Sequence, residues 1–161
     1  MNPTPSPEVG GAITALVQGR HQQPHDLLGQ HLEPGGLRIR VLKPLAQSVQ
    51  VRFEDGVTLD LAHEAEGVWT AVRADAERTM DYRLAVAWAD GIEHVQDDPY
   101  RFAPTLGEVD LHLVNEGRHE LLWTVLGSHL HTYQTPNGDV SGVSFAVWAP
   151  SAQGVRVTGD F

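Results

Sequence analysis

In Gly36-Leu-Arg-Ile-Arg-Val-Leu-Lys-Pro-Leu-Ala-Gln-Ser-Val-Gln-Val51, apolar and polar residues alternate on both sides of the proline. Alternation with a period of two is typical of half-buried β-strands. We therefore predict one strand through Leu37, Ile39 and Val41 and a second through Val49, Val51 and Phe53. Proline cannot donate a hydrogen bond to a sheet, so Lys43-Pro44-Leu45-Ala46 is predicted to be a turn or a crossing loop between the strands.

This stretch returns later in the chain, which indicates an internal repeat. Residues 142–157 match residues 36–51 at seven of sixteen positions without a gap. Each copy follows a Leu-Gly-x-His element, which begins at Leu28 and again at Leu126, and the second copy has eight extra residues before its first predicted strand. A repeat of about one hundred residues fits one small domain per copy.

The remaining patterns predict an all-β first unit with a helical start. Ser6-Pro7-Glu8 is a helix-start signal, and we expect a short helix to about Gln18. After Phe53, further strands are predicted around Val57–Leu61, Val68–Val72, Met80–Trp88 and His94–Gln96. About six strands without a long helix between them are typical of an immunoglobulin-like antiparallel β-sandwich. Beyond them, we predict a connector helix within residues 107–116 and a polar hairpin between Thr132 and Ser141. Val143, Phe145 and Val147 are then expected to form a strand against Val155 and Val157.

Composition excludes several classes of partner. Eleven basic and twenty-one acidic residues give a net charge of −10, which is the wrong sign for nucleic acid or an anionic membrane. No cysteine is present, which excludes disulfides and thiolate metal sites. Neither a signal peptide nor an 18-residue apolar segment is visible, so we expect a cytoplasmic protein.

The sequence predicts no catalytic residue, metal site or cofactor site within the chain. Asp97 and Asp98 are adjacent carboxylates before a proline, and we expect them to cap a turn instead of sharing a substrate. His129 and His131 lie on one face of a predicted strand, but a metal would need further ligands at matching positions. We therefore expect solvated or hydrogen-bonded imidazoles there. No glycine-rich phosphate loop is present.

Four motifs together resemble the amino-terminal part of bacterial glycogen branching enzymes. They are Pro24-His-Asp-Leu-Leu-Gly-Gln-His31, Asp97-Asp-Pro-Tyr-Arg-Phe102, Leu126-Gly-Ser-His129 and Phe145-Ala-Val-Trp-Ala-Pro-Ser-Ala152. The resemblance implies a first sandwich, a second sandwich of carbohydrate-binding module type, a catalytic (β/α)₈ barrel and a carboxy-terminal β domain. It also implies a parent enzyme that cleaves α-1,4-glucan and rejoins the segment through an α-1,6 bond, using two barrel carboxylates.

On this resemblance we divide the chain into four parts. Residues 1–23 are a flexible start and helix, and residues 24–104 the first sandwich. Residues 105–126 are a helical connector, and residues 127–161 belong to an incomplete second sandwich. The chain is expected to be non-catalytic alone and to help position α-glucan, such as glycogen or amylose, for the barrel of the parent chain.

Exposed aromatic rings are the candidates for glucan contact, because flat sugar faces pack on them. Trp69 and Trp88 are the predicted carbohydrate-binding residues, whereas Trp123 and Trp148 are expected to pack in the connector and the second unit. Two alternatives remain: a purely structural or interaction domain without sugar affinity, and the amino-terminal domain of a debranching or trehalose-releasing relative. The two-unit repeat with Asp97–Phe102 between its copies argues against the latter.

Overall fold

The computed structural model of the protein describes residues 5–160 and divides into two compact units, Met1–Ala103 and Pro104–Phe161. Within residues 5–103, one helix precedes eight strands. These elements are α1 (Pro7–Val17), β1 (Gly29–Glu33), β2 (Gly36–Leu42), β3 (Ser48–Phe53), β4 (Thr58–Asp60), β5 (Ala62–Ala65), β6 (Val68–Arg73), β7 (Tyr82–Ala87) and β8 (Glu93–Gln96).

The eight strands form two antiparallel four-stranded sheets, in the orders β1-β2-β6-β5 and β4-β3-β7-β8. Residues 43–47 carry the chain from the first sheet to the second, as the proline predicts. Between the sheets lies one apolar core, whose buried members include Leu37, Ile39, Val41, Val49, Val51, Phe53, Tyr82, Leu84 and Val86. Each such side chain contributes about 1.5–3 kcal/mol relative to an exposed position. The predicted β-sandwich with a short amino-terminal helix is therefore confirmed.

Helix α1 begins where the sequence predicts. The Ser6 side chain accepts a hydrogen bond from the main-chain N–H of Val9, and Pro7 occupies the first helical turn, where its missing N–H costs nothing. Ile13 is fully buried with Leu27 and Val68. Because Val68 and its neighbour Trp69 point to opposite faces of β6, α1 covers the outer face of the first sheet.

Strand number and length differ from the sequence prediction. Strands β1 and β5 were not expected, because Gly29–Glu33 contains a single large apolar residue and Ala62–Ala65 contains none. The strand predicted from Met80 to Trp88 spans only Tyr82–Ala87. Its ends are set by other partners, since the Met80 N–H donates to the Gln30 side chain at 2.9 Å and the Trp88 carbonyl accepts from Gly91 in a turn.

The two copies of the repeat adopt the same hairpin at different lengths. In the second unit, β9 (Gly127–Thr135) pairs with β10 (Gly138–Ala146), as β1 pairs with β2. Gly29 lies opposite Arg40, and Gly127 lies opposite Ala146, which is the position that the repeat aligns with Arg40. The eight extra residues of the second copy therefore lie within the hairpin, four on each strand. They do not form a separate segment before β9. An even insertion on each side keeps every side chain on its face.

The His of each Leu-Gly-x-His element makes the same local contact in both copies. The ring Nε2 of His31 lies 3.2 Å from the carbonyl oxygen of Leu28, and that of His129 lies 3.0 Å from the carbonyl oxygen of Leu126. This contact fixes the backbone at the glycine with which each hairpin begins.

The second unit also contains α2 (Glu108–Asn115), the predicted connector helix, and a 3₁₀ turn at Leu122–Thr124. The expected pairing of Val143 and Phe145 with Val155 and Val157 is wrong, because β10 pairs with β9 and residues 155–157 lie outside any strand. A two-residue connection brings β9 beside β10 at little entropic cost, whereas the turn at Ala149–Ala152 that follows β10 leads into a segment outside any strand.

Candidate functional site

Trp69 is half-buried on the core-facing side of β6. It lies opposite Val41 of β2, and its indole Nε1–H donates to the carbonyl oxygen of Lys43 at 3.2 Å. Its ring meets the ring of His63 edge-on at 5.2 Å between centroids. His63 is itself held by the main-chain N–H of Gly67, at 3.1 Å from Nε2. The polar atom and one edge of the Trp69 ring therefore already have partners within the sandwich.

Trp88 lies directly after β7, half-buried at the rim of the core. The His94 ring on edge strand β8 lies 5.6 Å from the Trp88 ring, with the planes tilted by 58°. The His94 side chain is 51% exposed and has Asp90 at 3.7 Å from its Nε2. Together, Trp88 and His94 form an aromatic surface at the rim with a carboxylate beside it.

The crossing loop, residues 43–47, brings the two tryptophans to the same end of the sandwich. At its start the Lys43 N–H donates to Gly67 at 2.8 Å, two residues before Trp69. At its end the Gln47 N–H donates to Ala87 at 2.8 Å, next to Trp88. Leu45, between these anchors, is 90% exposed and has a positive φ of 64°. We refer to Trp69, Trp88, His94 and residues 43–47 as the aromatic end.

The chemistry that the aromatic end offers is apolar contact with few free charges. Burial lowers the pKa of Lys43, although the charge of Asp98 acts in the opposite direction. The titratable groups at the rim are His94 and Asp90, whose Nε2 and Oδ2 atoms lie 3.7 Å apart. Such a surface can hold a flat, weakly polar face, such as that of a pyranose ring.

The motif Asp97–Phe102 has a structural role that the sequence revealed only in part. The predicted turn cap is confirmed, since Asp98 accepts from the Tyr100 N–H at 3.1 Å. Asp98 is also 2% exposed and accepts a 2.6 Å hydrogen bond from the Tyr82 hydroxyl. Burial raises the pKa of Asp98, and it raises the pKa of Tyr82 as well. Sequence reasoning missed this pair, because nothing local links residues sixteen positions apart.

The first motif, Pro24–His31, packs directly against Asp97–Phe102. The Nε2 of His25 lies 3.1 Å from the carbonyl oxygen of Phe102, and the His25 ring meets the Tyr100 ring edge-on at 5.0 Å. Gly29 has a φ of 89°, and a Cβ on it would overlap the carbonyl oxygen of Tyr100. Two motifs that are far apart in sequence thus form one contact in the first unit.

The second-unit histidines are hydrogen-bonded, as predicted. His129 and His131 share a face of β9, and the Nε2 of His131 lies 2.7 Å from the Ser144 hydroxyl. Residues 5–160 contain no group of three or more potential metal ligands. In the same range, no helix is long and apolar enough to cross a membrane.

Trp123 and Trp148 differ from expectation, since they are 74% and 55% exposed.

The first unit is thus an antiparallel β-sandwich domain with a helix on one sheet and aromatic residues at one end. The chain belongs to the family of the alpha-1,4-glucan branching enzyme GlgB, N-terminal domain, whose model matches residues 10–100. This confirms the resemblance seen in the four motifs.

Curated relatives agree with this family. The chain is 52% identical over 149 residues to the 1,4-alpha-glucan branching enzyme GlgB of Thermobifida fusca, covering 92% of this chain and 20% of that enzyme. With the GlgB of Leifsonia xyli it is 44% identical over 172 residues, covering 98% of this chain and 23% of that enzyme. The chain therefore spans about a fifth of the length of these relatives.

Among solved structures, the chain is similar to pullulanases. That of Anoxybacillus sp. LM18-11 aligns with a TM-score of 0.43 and 20% sequence identity, over 55% of this chain and 13% of the pullulanase. The apo pullulanase of Paenibacillus barengoltzii aligns with a TM-score of 0.32 and 19% identity, over 61% of this chain and 20% of the pullulanase.

Proposed function

We propose that this chain is an accessory, non-catalytic part of a 1,4-alpha-glucan branching enzyme and that it helps position α-glucan for transfer to α-1,6 branch points. The observation that carries the proposal is the family match, with 52% identity to a GlgB over 92% of the chain. The substrate would be glycogen or amylose, and the chemistry would belong to a catalytic barrel in the remaining four-fifths of such an enzyme. Glycogen synthesis of this kind would be located in the cytoplasm.

Glucan contact is proposed at the aromatic end, through Trp88 and Trp69. Trp88 and His94 form an open aromatic rim, and Trp69 lies on the neighbouring sheet at the same end. A shallow surface of this kind removes little of a flexible glucan from water. We therefore expect a dissociation constant near millimolar, which corresponds to about −4 kcal/mol.

A purely structural role is the second candidate, and a specific observation favours it. The Trp69 indole N–H already donates to Lys43, and Trp69 packs with His63 and Val41. A residue with these contacts can be retained for packing alone. In that case the first unit would orient the parent enzyme without touching the sugar.

Titration with maltoheptaose distinguishes the two candidates. Trp88→Ala should weaken binding at least about tenfold, because aromatic stacking would supply much of a weak affinity. The matched control is Trp123→Ala, which removes an exposed indole from the other unit. If no binding is detected at about 10 mM sugar, which lies above the expected millimolar dissociation constant, the structural role is favoured. A second assay tests the absence of chemistry: the purified chain should leave the iodine stain of amylose unchanged.

A further inference from the structure

The internal repeat extends upstream of its two Leu-Gly-x-His elements into a 3₁₀ turn that both copies share. One turn begins at Pro24 before β1, and the other begins at Leu122 before β9. In the first copy the Leu28 N–H donates to the carbonyl oxygen of Pro24 at 2.8 Å. In the second copy the Leu126 N–H donates to the carbonyl oxygen of Leu122 at 2.8 Å. The two segments can therefore be compared position by position.

In the first unit, this turn and the glycine after it hold the segment Asp97–Phe102. A carbonyl oxygen can only accept, so Nε2 of His25 donates to the carbonyl oxygen of Phe102 at 3.1 Å. The His25 ring also meets the Tyr100 ring edge-on at 5.0 Å between centroids. Gly29 is buried against the main chain of Tyr100, whose carbonyl oxygen a Cβ would overlap. One aromatic N–H donor and one bare glycine thus hold this segment.

The second unit repeats this arrangement with its surface open to solvent. The counterpart of Gly29 is Gly127, which has a φ of 98°. Among the described residues, a Cβ on Gly127 would meet nothing within 4 Å, and Gly127 is exposed where Gly29 is buried. The counterpart of His25 is Trp123, which is 74% exposed. The space that Tyr100 fills in the first unit is therefore free of residues 5–160 in the second.

Trp123 can make both of the contacts that His25 makes. An indole Nε1–H is a donor and never an acceptor, so it can donate to a carbonyl oxygen as the imidazole of His25 does. Its ring can meet another aromatic ring edge-on. Residues 121–130 contain no Asp, Glu, Lys or Arg, so this surface offers apolar contact and main-chain groups instead of charge. Its chemistry fits an extended segment that carries an aromatic residue.

We propose that Trp123 and Gly127 form a docking site for a segment of the Asp-Pro-Tyr-Arg-Phe kind. The tyrosine ring would lie against Trp123 with the tyrosine carbonyl at Gly127, and the carbonyl two residues later would accept from the indole. The chain's own segment, Asp97–Phe102, is already bound in the first unit. The chain spans about a fifth of its GlgB relatives, so we assign the occupant to a part of the parent enzyme outside residues 1–161. That source rests on the proposed function, whereas the site rests on the repeat.

A ten-residue peptide with the sequence of residues 95–104, Val-Gln-Asp-Asp-Pro-Tyr-Arg-Phe-Ala-Pro, is the probe. It is titrated into the ¹⁵N-labelled chain, whose indole N–H signals are assigned from single Trp→Phe variants. The Trp123 signal should shift saturably, with half-saturation below about 5 mM, while the signals of Trp69 and Trp88 stay in place. Replacing the tyrosine of the peptide by alanine should weaken binding at least about fivefold.

Variants of the chain test the geometry of the site. Gly127→Asn is chosen because asparagine tolerates positive φ better than other side chains, while its side chain fills the space for the tyrosine carbonyl. It should weaken peptide binding at least about tenfold. Gly138→Asn is the matched control, since Gly138 has a φ of 108° and open surroundings at the opposite end of the hairpin. Trp123→His, which installs the first-unit residue, should bind more tightly than Trp123→Ala. Melting temperatures check that each variant is folded.

Each outcome supports or overturns the proposal. The absence of a saturable shift at Trp123, or shifts at Trp69 and Trp88 instead, would overturn the docking site. Equal weakening by Gly127→Asn and Gly138→Asn would overturn the role of the open glycine. A Trp123 signal that moves with protein concentration in the absence of peptide would identify a second copy as the occupant and overturn the assigned source. Because no sugar is present, these results are independent of the maltoheptaose test of the proposed function.

Discussion

The Tyr82 hydroxyl donates a 2.6 Å hydrogen bond to Oδ2 of Asp98, and both residues are at most 2% exposed. Tyr82 begins β7 in the core, whereas Asp98 begins the segment that leaves the sandwich. The bond therefore ties the last part of the first unit to its centre. Arg101 adds to this tie, because it pairs with Asp81 at 2.8 Å and donates to the carbonyl oxygen of Tyr82.

We predict that Tyr82→Phe lowers the free energy of unfolding by about 1–3 kcal/mol, because it leaves a buried carboxyl short of a partner. Urea denaturation followed by tryptophan fluorescence measures the loss. The control is Asp97→Asn at the neighbouring carboxylate, whose side chain is 29% exposed. Its loss should stay below about 1 kcal/mol, because its pairs with Arg83 and Arg101 are both long, at 3.3 Å, and Arg101 keeps Asp81 at 2.8 Å. Equal losses in the two variants would contradict the special role of the buried bond.

Asp98 should also make stability depend on pH in an unusual direction. Burial raises its pKa in the folded state, so the folded chain holds this proton more tightly than the unfolded chain does. Stability linked to Asp98 therefore falls as the pH rises from the ordinary value of 3.8 through the raised folded value. Asp55, Asp75 and Asp110 act oppositely, because their pKa values are lowered and their contribution is lost as the pH falls.

The Asp98→Asn variant isolates the first effect. The other carboxylates are common to both proteins, so the difference in unfolding free energy between variant and parent reports Asp98 alone. We expect the variant to gain stability relative to the parent as the pH rises above about 4. A difference that stays flat between pH 3 and pH 8 would mean that Asp98 titrates normally in the fold.

Gly36 should be among the least replaceable residues of the first unit. Its φ is 118°, a Cβ would overlap the carbonyl oxygen of Arg73, and the Cα of Ala74 would lie at 2.7 Å from it. Gly36→Ala should therefore cost at least about 2 kcal/mol in thermal or urea unfolding. Gly35→Ala is the matched control, since a Cβ on the adjacent glycine meets nothing within 4 Å. Comparable losses at both positions would refute the steric explanation.

Gly36 has one counterpart in the second unit by sequence alignment and a different one by structure. The ungapped alignment matches Gly36 with Gly142, yet a Cβ on Gly142 would meet nothing within 4 Å. The structural counterpart is Gly138, which also follows a hairpin turn and has a φ of 108°. Identity at Gly142 therefore does not carry over the conformational role, because the eight extra residues separate the turn from the strand core.

Strong alternation predicted the core strands, because burial of one face selects that pattern. Leu37, Ile39 and Val41 lie at 0–1% exposure as expected. Edge strands β1 and β5 lacked this signal, since hydrogen bonding to a neighbour, rather than burial, defines them. Contacts such as His25 with Phe102 depend on long-range folding, so no local pattern could reveal them. For the same reason, no local pattern could reveal that Trp69 and Trp88 lie at the same end of the sandwich. Their placement follows from the path of the crossing loop between the two sheets.

Helix α1 should contribute to the stability of the sandwich through one side chain in particular. Ile13 is 0% exposed against Leu27 and Val68, so Ile13→Ala should cost about 2–5 kcal/mol through lost burial and a cavity. Val17, on the same helix, is 44% exposed, and Val17→Ala is expected to cost less than about 0.5 kcal/mol. If both variants unfold like the parent protein, α1 does not pack stably on the sheet.

Trp69 allows packing and sugar contact to be separated. Trp69→Phe keeps a flat ring but removes the N–H that donates to Lys43 at 3.2 Å, so stability should fall by about 1 kcal/mol. If the ring contacts glucan, maltoheptaose affinity should change less than about threefold in this variant and fall at least about tenfold in Trp69→Ala. Isothermal titration calorimetry with maltoheptaose measures the affinity of each variant. Trp69→Ala with unchanged affinity would restrict Trp69 to packing and leave Trp88 as the contact at the aromatic end.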